Sequence, residues 1–422
     1  MNAISKRDIA ILRELARRTT EIANLPIQAE KRSLWKALNG LHPVRPMVLI
    51  DQICWNEMNV GDELTLQCED ALCREYEAFL RQQLYSYQHM PVDMVVEPFV
   101  RMPKLMTGYT AGFEDWQGKF DFGIEIQQET SVTDITNNIV GHNYHCQIAG
   151  MDDLEKIRMP EIHYLKAETE AKLALVQEIF GDTIDVKLDG CYPGFWFFDA
   201  IVHWCGVEDT LCNMAAEPEF LHAVCDRLLT AYLTGLDQLE SEGLLGDAQT
   251  LVHCTGAYSD ELENSGAPSG SAKRLWTFNL SQIFCSASPA AHEEFEADYS
   301  RRWYERFGLG YYGCCEPLHD RIGMLSKIPN IRKVSISPFA NVEAGAEALG
   351  SRYVMSRKPM PAVFAMDTFD AENSYREIRD LVKICRKTGT PLEIIQKDIS
   401  TLKYKPERLW QWADAVMRAV QE

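Results

Sequence analysis

Apolar residues recur at helical spacing from the start of the chain. Ile9, Leu12, Leu15 and Ala16 mark one amphipathic helix, and a second segment runs from Ala29 to Leu38. Pro43 and Pro46 break the pattern, and Met47-Val48-Leu49-Ile50 reads as a first buried strand that ends at Asp51. Tyr76, Leu80 and Leu84 place a helix over residues 70–90, and Val92 to Val96 is a second short apolar run ending at Glu97. Residues 100–160 lose periodicity and are rich in Gly, Asp, Asn and Thr, which predicts a loop-rich insertion.

From residue 165 the alternation becomes regular. A helix over 165–180 leads to a strand at 184–188, and Leu221, Val224, Leu228 and Tyr232 share one face of a helix over 217–242. Thr250 to His253 reads as a strand end, residues 258–274 as a surface loop, and 275–285 as another apolar segment. Strands follow at 307–313, 334–337, 353–356 and 392–396, each leading into a helical pattern. About eight strand–helix units in one chain imply a parallel sheet, and they favour a closed barrel over an open sheet. The predicted fold class is α/β, a single (β/α)8 TIM-type barrel. An N-terminal helical segment at 1–40 precedes a barrel at 41–422, with 100–160 inserted over its mouth.

Composition narrows the function. The chain has 422 residues and a formal charge of −20, without a basic tract, so nucleic acid is excluded as a partner. No apolar run reaches membrane-span length, and the amphipathic start carries no signal-peptide pattern. The 13 cysteines are odd in number and irregularly spaced, which points to reduced thiols and a cytoplasmic location. No Gly-x-Gly-x-x-Gly or phosphate-loop pattern lies between a strand and a helix, which argues against a nucleotide enzyme.

Candidate chemistry gathers at strand ends. Tyr311-Tyr312-Gly313-Cys314-Cys315-Glu316-Pro317 closes an apolar run with two thiols and a carboxylate, donors that suit a soft metal ion. Adjacent strand residues point to opposite faces, so both thiols serve one site only if the strand has already ended. A packed, inert thiol is the plainer alternative. Asp51, Glu97 and His253 also follow apolar runs and are candidate proton donors, with caps, ion pairs or a hydrogen-bonded core histidine as alternatives. Phe195-Trp196-Phe197-Phe198 follows a glycine-bounded turn. Trp196 and Phe197, joined by Trp55 and Phe99, are candidates for an aromatic pocket wall, against simple core packing.

With these motifs in order, the chain over roughly 30–420 resembles the uroporphyrinogen decarboxylase superfamily, and specifically its cobalamin-dependent methyltransferases. Ser286-Ala287-Ser288-Pro289, followed by Glu293, Glu294 and Phe295, resembles that family's Ser-x-Ser-Pro and acidic helix. Tyr312-Gly313-Cys314 stands where those methyltransferases carry a His-x-Cys segment. Val334 to Gly350 resembles the next strand and helix, and Met355 to Ala362 lies at the family's following turn. Ala37 to Gly40 with Arg45-Pro46, and His145 to Pro160, resemble earlier family segments.

The resemblance implies a (β/α)8 barrel and methyl transfer from a small methylated substrate, a methoxylated aromatic being favoured, to the Co(I) corrinoid of a partner protein. It implies zinc at Cys314, Cys315 and Glu316, with Asp398 where the branch has a further cysteine. Tyr312 replaces the usual histidine. Asp51 to Glu57 contains no Arg or Lys, so the cationic cluster that a polycarboxylated tetrapyrrole requires is absent there, and a neutral, ring-bearing donor is expected. The alternatives are a lyase or decarboxylase acting on a small organic acid or tetrapyrrole-like compound, and a non-catalytic corrinoid- or tetrapyrrole-binding protein. A homodimer is compatible with either reading.

Overall fold

The computed structural model describes residues 4–110, 118–131, 141–247 and 249–422. Helices α1 (Lys6–Ala23) and α2 (Pro26–Asn39) form where the apolar spacing places them, and Ser5 caps α1 by accepting the Asp8 N–H. Leu12 and Leu15 of α1 are buried with Tyr76 and Leu80 of α3 (Ala71–His89) and with Val176 and Phe180 of α4 (Lys166–Phe180).

Eight strands carry the body of the protein. They are β1 (Met47–Ile50), β2 (Phe99–Pro103), β3 (Asp185–Asp189), β4 (Trp276–Asn279), β5 (Leu309–Tyr312), β6 (Ile331–Ile336), β7 (Val354–Arg357) and β8 (Leu392–Gln396). Six form one parallel sheet in the order β1-β8-β7-β6-β5-β4, while β2 and β3 pair in parallel apart from it. Nearly every residue of the six is buried, as a sheet covered on both faces requires.

The closed barrel expected from the alternation is not what these hydrogen bonds make, because the sheet stays open. Between β1 and β2 the expected second strand, Val92 to Val96, forms no ladder. Most of its backbone groups are taken by α2, and the Asp93 N–H makes a single bond to the Val48 carbonyl of β1. Lys31 donates to the carbonyls of Val92 and Met94, Trp35 donates to Asp93, and Val96 N–H donates to the Gln28 side chain. Pro98 adds no donor, so the ladder starts only at Phe99. Between β3 and β4, Gly190 to Gly194 leaves only isolated parallel bridges, Cys191 with Leu245 and Phe195 with Asn279.

The predicted insertion begins after β2. Its described parts are short antiparallel pairs, of which Gln128–Ser131 with Gly141–Tyr144 is the longest. Among the described residues no helix is long and apolar enough to cross a membrane.

Candidate functional site

The C-terminal ends of β1, β5, β7 and β8 deliver Asp51, Cys314 and Cys315, Lys358, and Lys397 and Asp398 to one region. Loop residue His253 joins them. Parallel strands end together, so charged residues that follow apolar strands meet there.

Strand β5 stops at Tyr312 because Gly313 turns the chain with φ +95°. A Cβ at that position would come within 2.4 Å of the Leu318 side chain. The Glu316 carboxylate locks the turn, accepting N–H bonds from Cys314 at 2.8 Å and from Ser281 at 3.0 Å. Ser335 adds a hydroxyl donated to the Cys314 carbonyl at 2.7 Å. With the strand ended, both thiols face one site and their sulfurs lie 3.6 Å apart.

Three side chains at the mouth sit on left-handed backbone that non-glycine residues seldom adopt: Gln52 (φ 50°), His253 (φ 51°) and Asp398 (φ 58°). Such strain collects where surrounding structure fixes a functional geometry. Here the Ile399 N–H holds the Gln52 carbonyl at 3.2 Å and ties the end of β8 to the end of β1.

Lys397 is the hub of the charge pattern. Its ammonium lies 3.0 Å from Cys314 Sγ, 3.5 Å from His253 Nε2 and 3.6 Å from Asp398 Oδ2. Cys315 Sγ lies 3.7 Å from Asp398 Oδ2. Lys358 donates to the Tyr311 hydroxyl and to Ser356 Oγ. His253 is stacked on Phe278 with centroids 5.2 Å apart and meets Trp196 edge-on at 6.4 Å.

Burial, together with the Lys397 and Lys358 charges, pushes His253 well below its usual value, so the ring is neutral and Nε2 accepts from Lys397. The Cys315 thiol is lowered, first because Cys314 S–H donates to it, with the Lys397 charge adding to the effect. Burial raises the Asp51 carboxyl, and Lys397 only partly offsets this.

Asp51, Trp55, Glu97 and Phe99 share the wall of one cavity of about 510 Å³ with Met94 and Val95. Glu97 is committed there to an ion pair with Arg32 at 3.0 Å and to the Tyr258 hydroxyl at 2.6 Å. Trp196 stands beside His253, and Lys119 of the insertion lies 5.5 Å over its ring. Phe197 is not at the site. It is fully buried between Phe195 (4.6 Å) and Tyr299 (5.5 Å) in the core. Tyr312 points away from the thiols and gives its hydroxyl to buried Glu296 at 2.6 Å.

The donor set does not fit a zinc ion in this arrangement. Glu316 is turned inward onto two backbone N–H groups. Cys314 faces a fixed ammonium rather than open space. That leaves Cys315 and Asp398, fewer than the three protein ligands of a catalytic zinc. Among the described residues no group of three or more His, Cys, Asp or Glu is arranged to hold a metal.

The two lysines were not anticipated from the sequence. Their signal was a cation directly after a buried strand, in Ser356-Arg357-Lys358 and Ile395-Gln396-Lys397.

No family model matches this chain, and no curated protein matches it. Among solved structures, a methyltransferase from Methanosarcina mazei is similar with a TM-score of 0.48 and 11% sequence identity, over 92% of this chain and 97% of that one. A likeness at that level says nothing of activity.

Proposed function

We propose that the protein takes the methyl group of a small methoxylated aromatic and passes it to the Co(I) corrinoid of a partner protein. Asp51 carries the reading. It lies on the wall of a cavity with Trp55 and Phe99, and burial raises its carboxyl so that it keeps a proton where an exposed carboxylate has lost it. The order of motifs resembling the corrinoid-dependent methyltransferases supplies the acceptor.

Cleaving an aryl methyl ether breaks the O–CH3 bond. The carbon goes to the acceptor, the electron pair stays on oxygen, and the oxygen needs a proton. The corrinoid supplies a low-valent cobalt nucleophile. Asp51 supplies the proton to the departing phenolic oxygen, and such general acids contribute about 10²–10⁴-fold. Trp55 and Phe99 hold the ring. Neither other candidate acid suits the task, since Glu97 is paired with Arg32 and His253 is neutral with its ring nitrogen taken by Lys397.

One observation favours a second reading, a lyase acting on a small acid. Lys358 and Lys397 place two buried ammonium groups at the same mouth. A single assay separates the two. The protein is mixed with a panel of methoxyarenes and free cob(I)alamin, and both Co(I) absorbance and carbon dioxide are followed. Substrate-dependent loss of Co(I) supports methyl transfer, whereas carbon dioxide release with Co(I) unchanged supports the lyase.

A further inference from the structure

With zinc set aside and the proton donor placed at Asp51, Cys314 and Cys315 have no part in the chemistry described so far. They are the only adjacent cysteines in the chain, and their sulfurs touch without bonding at 3.6 Å.

The two thiols differ in their surroundings. Cys314 is buried and fixed, its N–H donated to Glu316 at 2.8 Å and its carbonyl held by the Ser335 hydroxyl at 2.7 Å. Cys315 is half-buried, so a reagent in solution meets it first. Its S–H reaches Asp398 Oδ2 at 3.7 Å, and that carboxylate, its side chain 44% exposed, can exchange a proton with water. Cys314 Sγ accepts instead from the Lys397 ammonium at 3.0 Å, a contact that stabilises a thiolate there.

Most thiols of this chain are packed and inert by comparison. Burial pushes Cys54, Cys205 and Cys385 up to about 12. Cys315 is lowered, first because Cys314 donates to it, and this outweighs its own burial and the Asp398 charge.

We propose that Cys314 and Cys315 form a thiol–disulfide exchange site, which reduces the disulfide of a small oxidised thiol and becomes a Cys314–Cys315 disulfide in return. The proposal stands apart from the methyl-transfer reading. In the first step Cys315 gives its proton to Asp398, and its sulfur attacks one sulfur of the small disulfide. That S–S bond breaks, and the departing half takes the proton from Asp398 and leaves as a thiol. In the second step Cys314, its thiolate stabilised by Lys397, attacks Cys315 Sγ. The bond from Cys315 to the bound half breaks, and that half leaves with the Cys314 proton. Two protein thiols are oxidised to one disulfide, and one small disulfide is reduced to two thiols.

Closing the ring brings the sulfurs from 3.6 Å to a bond of about 2.05 Å. Strand β5 has ended at Tyr312, so the movement breaks no ladder. Adjacent Cα atoms are about 3.8 Å apart, short of the ~4.4–6.8 Å of ordinary disulfides, so the ring is strained and a small thiol reopens it.

Peptide mass spectrometry tests this on the full-length protein. Reduced protein is treated with 2-hydroxyethyl disulfide, quenched in acid, blocked with N-ethylmaleimide and digested with trypsin. Cleavage after Arg306 and Arg321 releases residues 307–321, which contain no cysteine besides the pair. In the native protein this peptide should lose two hydrogens and take up no maleimide, and dithiothreitol added before blocking should restore both thiols. Cys314→Ser, checked for native circular dichroism, should stop at a single hydroxyethylthio adduct on Cys315. Cys315→Ser should leave Cys314 free. A native peptide with both thiols blocked, while the exposed Cys146, Cys212 and Cys285 carry adducts, would overturn the proposal. So would a lasting adduct on the native peptide without a ring, a cross-link from it to another cysteine peptide, or an adduct on Cys314 in the Cys315→Ser protein. If a variant does not fold, the mass of the native peptide decides.

Discussion

Replacing Glu316 by Gln separates two roles that its place in Cys-Cys-Glu leaves open. As a buried clamp, its two oxygens accept the N–H groups of Cys314 at 2.8 Å and Ser281 at 3.0 Å. A hydrogen bond to a charged group is worth ~1.5–3 kcal/mol, and a buried N–H left without a partner costs ~1–3 kcal/mol. Gln keeps one acceptor oxygen and turns an NH2 toward the other N–H, so one bond is lost and one donor is stranded. The two costs overlap, because losing the bond is what strands the donor, and the expected destabilisation is about 2–4 kcal/mol. Urea unfolding followed by circular dichroism measures it as a lower midpoint at unchanged slope. Bound zinc, measured on the same samples, should not differ between the variant and the native chain. A variant as stable as the native chain but depleted of zinc would refute the clamp and make Glu316 a metal ligand.

The remaining predictions concern neighbouring groups. Burial raises the Asp51 carboxyl above its ordinary 3.8, so its contribution to stability is full at low pH and is lost as the pH rises through the folded value. Asp51→Asn, which does not titrate, should therefore gain stability relative to the native chain as the pH is raised above 3.8, and parallel denaturation curves at all pH values would contradict the shift. Cys314→Ala removes the S–H that donates to Cys315, so alkylation of Cys315 by iodoacetamide at pH 8, read by peptide mass spectrometry, should slow several-fold; acceleration would show that the pair is organised differently. Phe197→Ala should cost ~3–5 kcal/mol of stability with KM for a ring-bearing substrate little changed. Trp55→Ala should do the reverse, raising KM at small cost in stability, and the opposite pattern would exchange the roles of these two aromatic residues.

Much of the architecture follows from simple periodicity. Strand β1 is an uninterrupted apolar run that ends at a polar residue, β5 to β8 overlap the short segments read as strands at 307–313, 334–337, 353–356 and 392–396, and the helix at Ala371–Thr388 buries the Ile378, Leu381, Val382 and Cys385 stripe that its spacing predicts. The run Val92–Val96 misleads because side chains of α2, remote in sequence, take its backbone hydrogen bonds. The same capture helps to keep the sheet open where the alternation predicts closure. In the site, the thiols at the end of β5 were legible because a glycine follows an apolar run. The inward turn of Glu316 was not, since it depends on the Ser281 N–H contributed by another loop. In Phe195 to Phe198 all four positions are aromatic, and only the start of the helix Phe197–Cys205 decides that Trp196 faces the mouth while Phe197 enters the core. Lys358 and Lys397 escape sequence reading because a lysine after a strand is ordinarily solvated. Their burial comes from neighbouring strands ending at the same level.

The most direct test of Asp51 as proton donor is the pH profile of methyl transfer. Native and Asp51→Asn proteins are mixed with a methoxylated aromatic and cob(I)alamin, and the loss of Co(I) absorbance gives kcat/KM at each pH. The native rate should fall with rising pH as the raised carboxyl loses its proton, and the Asn variant should be ~10²–10⁴-fold slower with that limb absent. Native-like rates in the Asn variant, or an identical pH limb in both proteins, would contradict it.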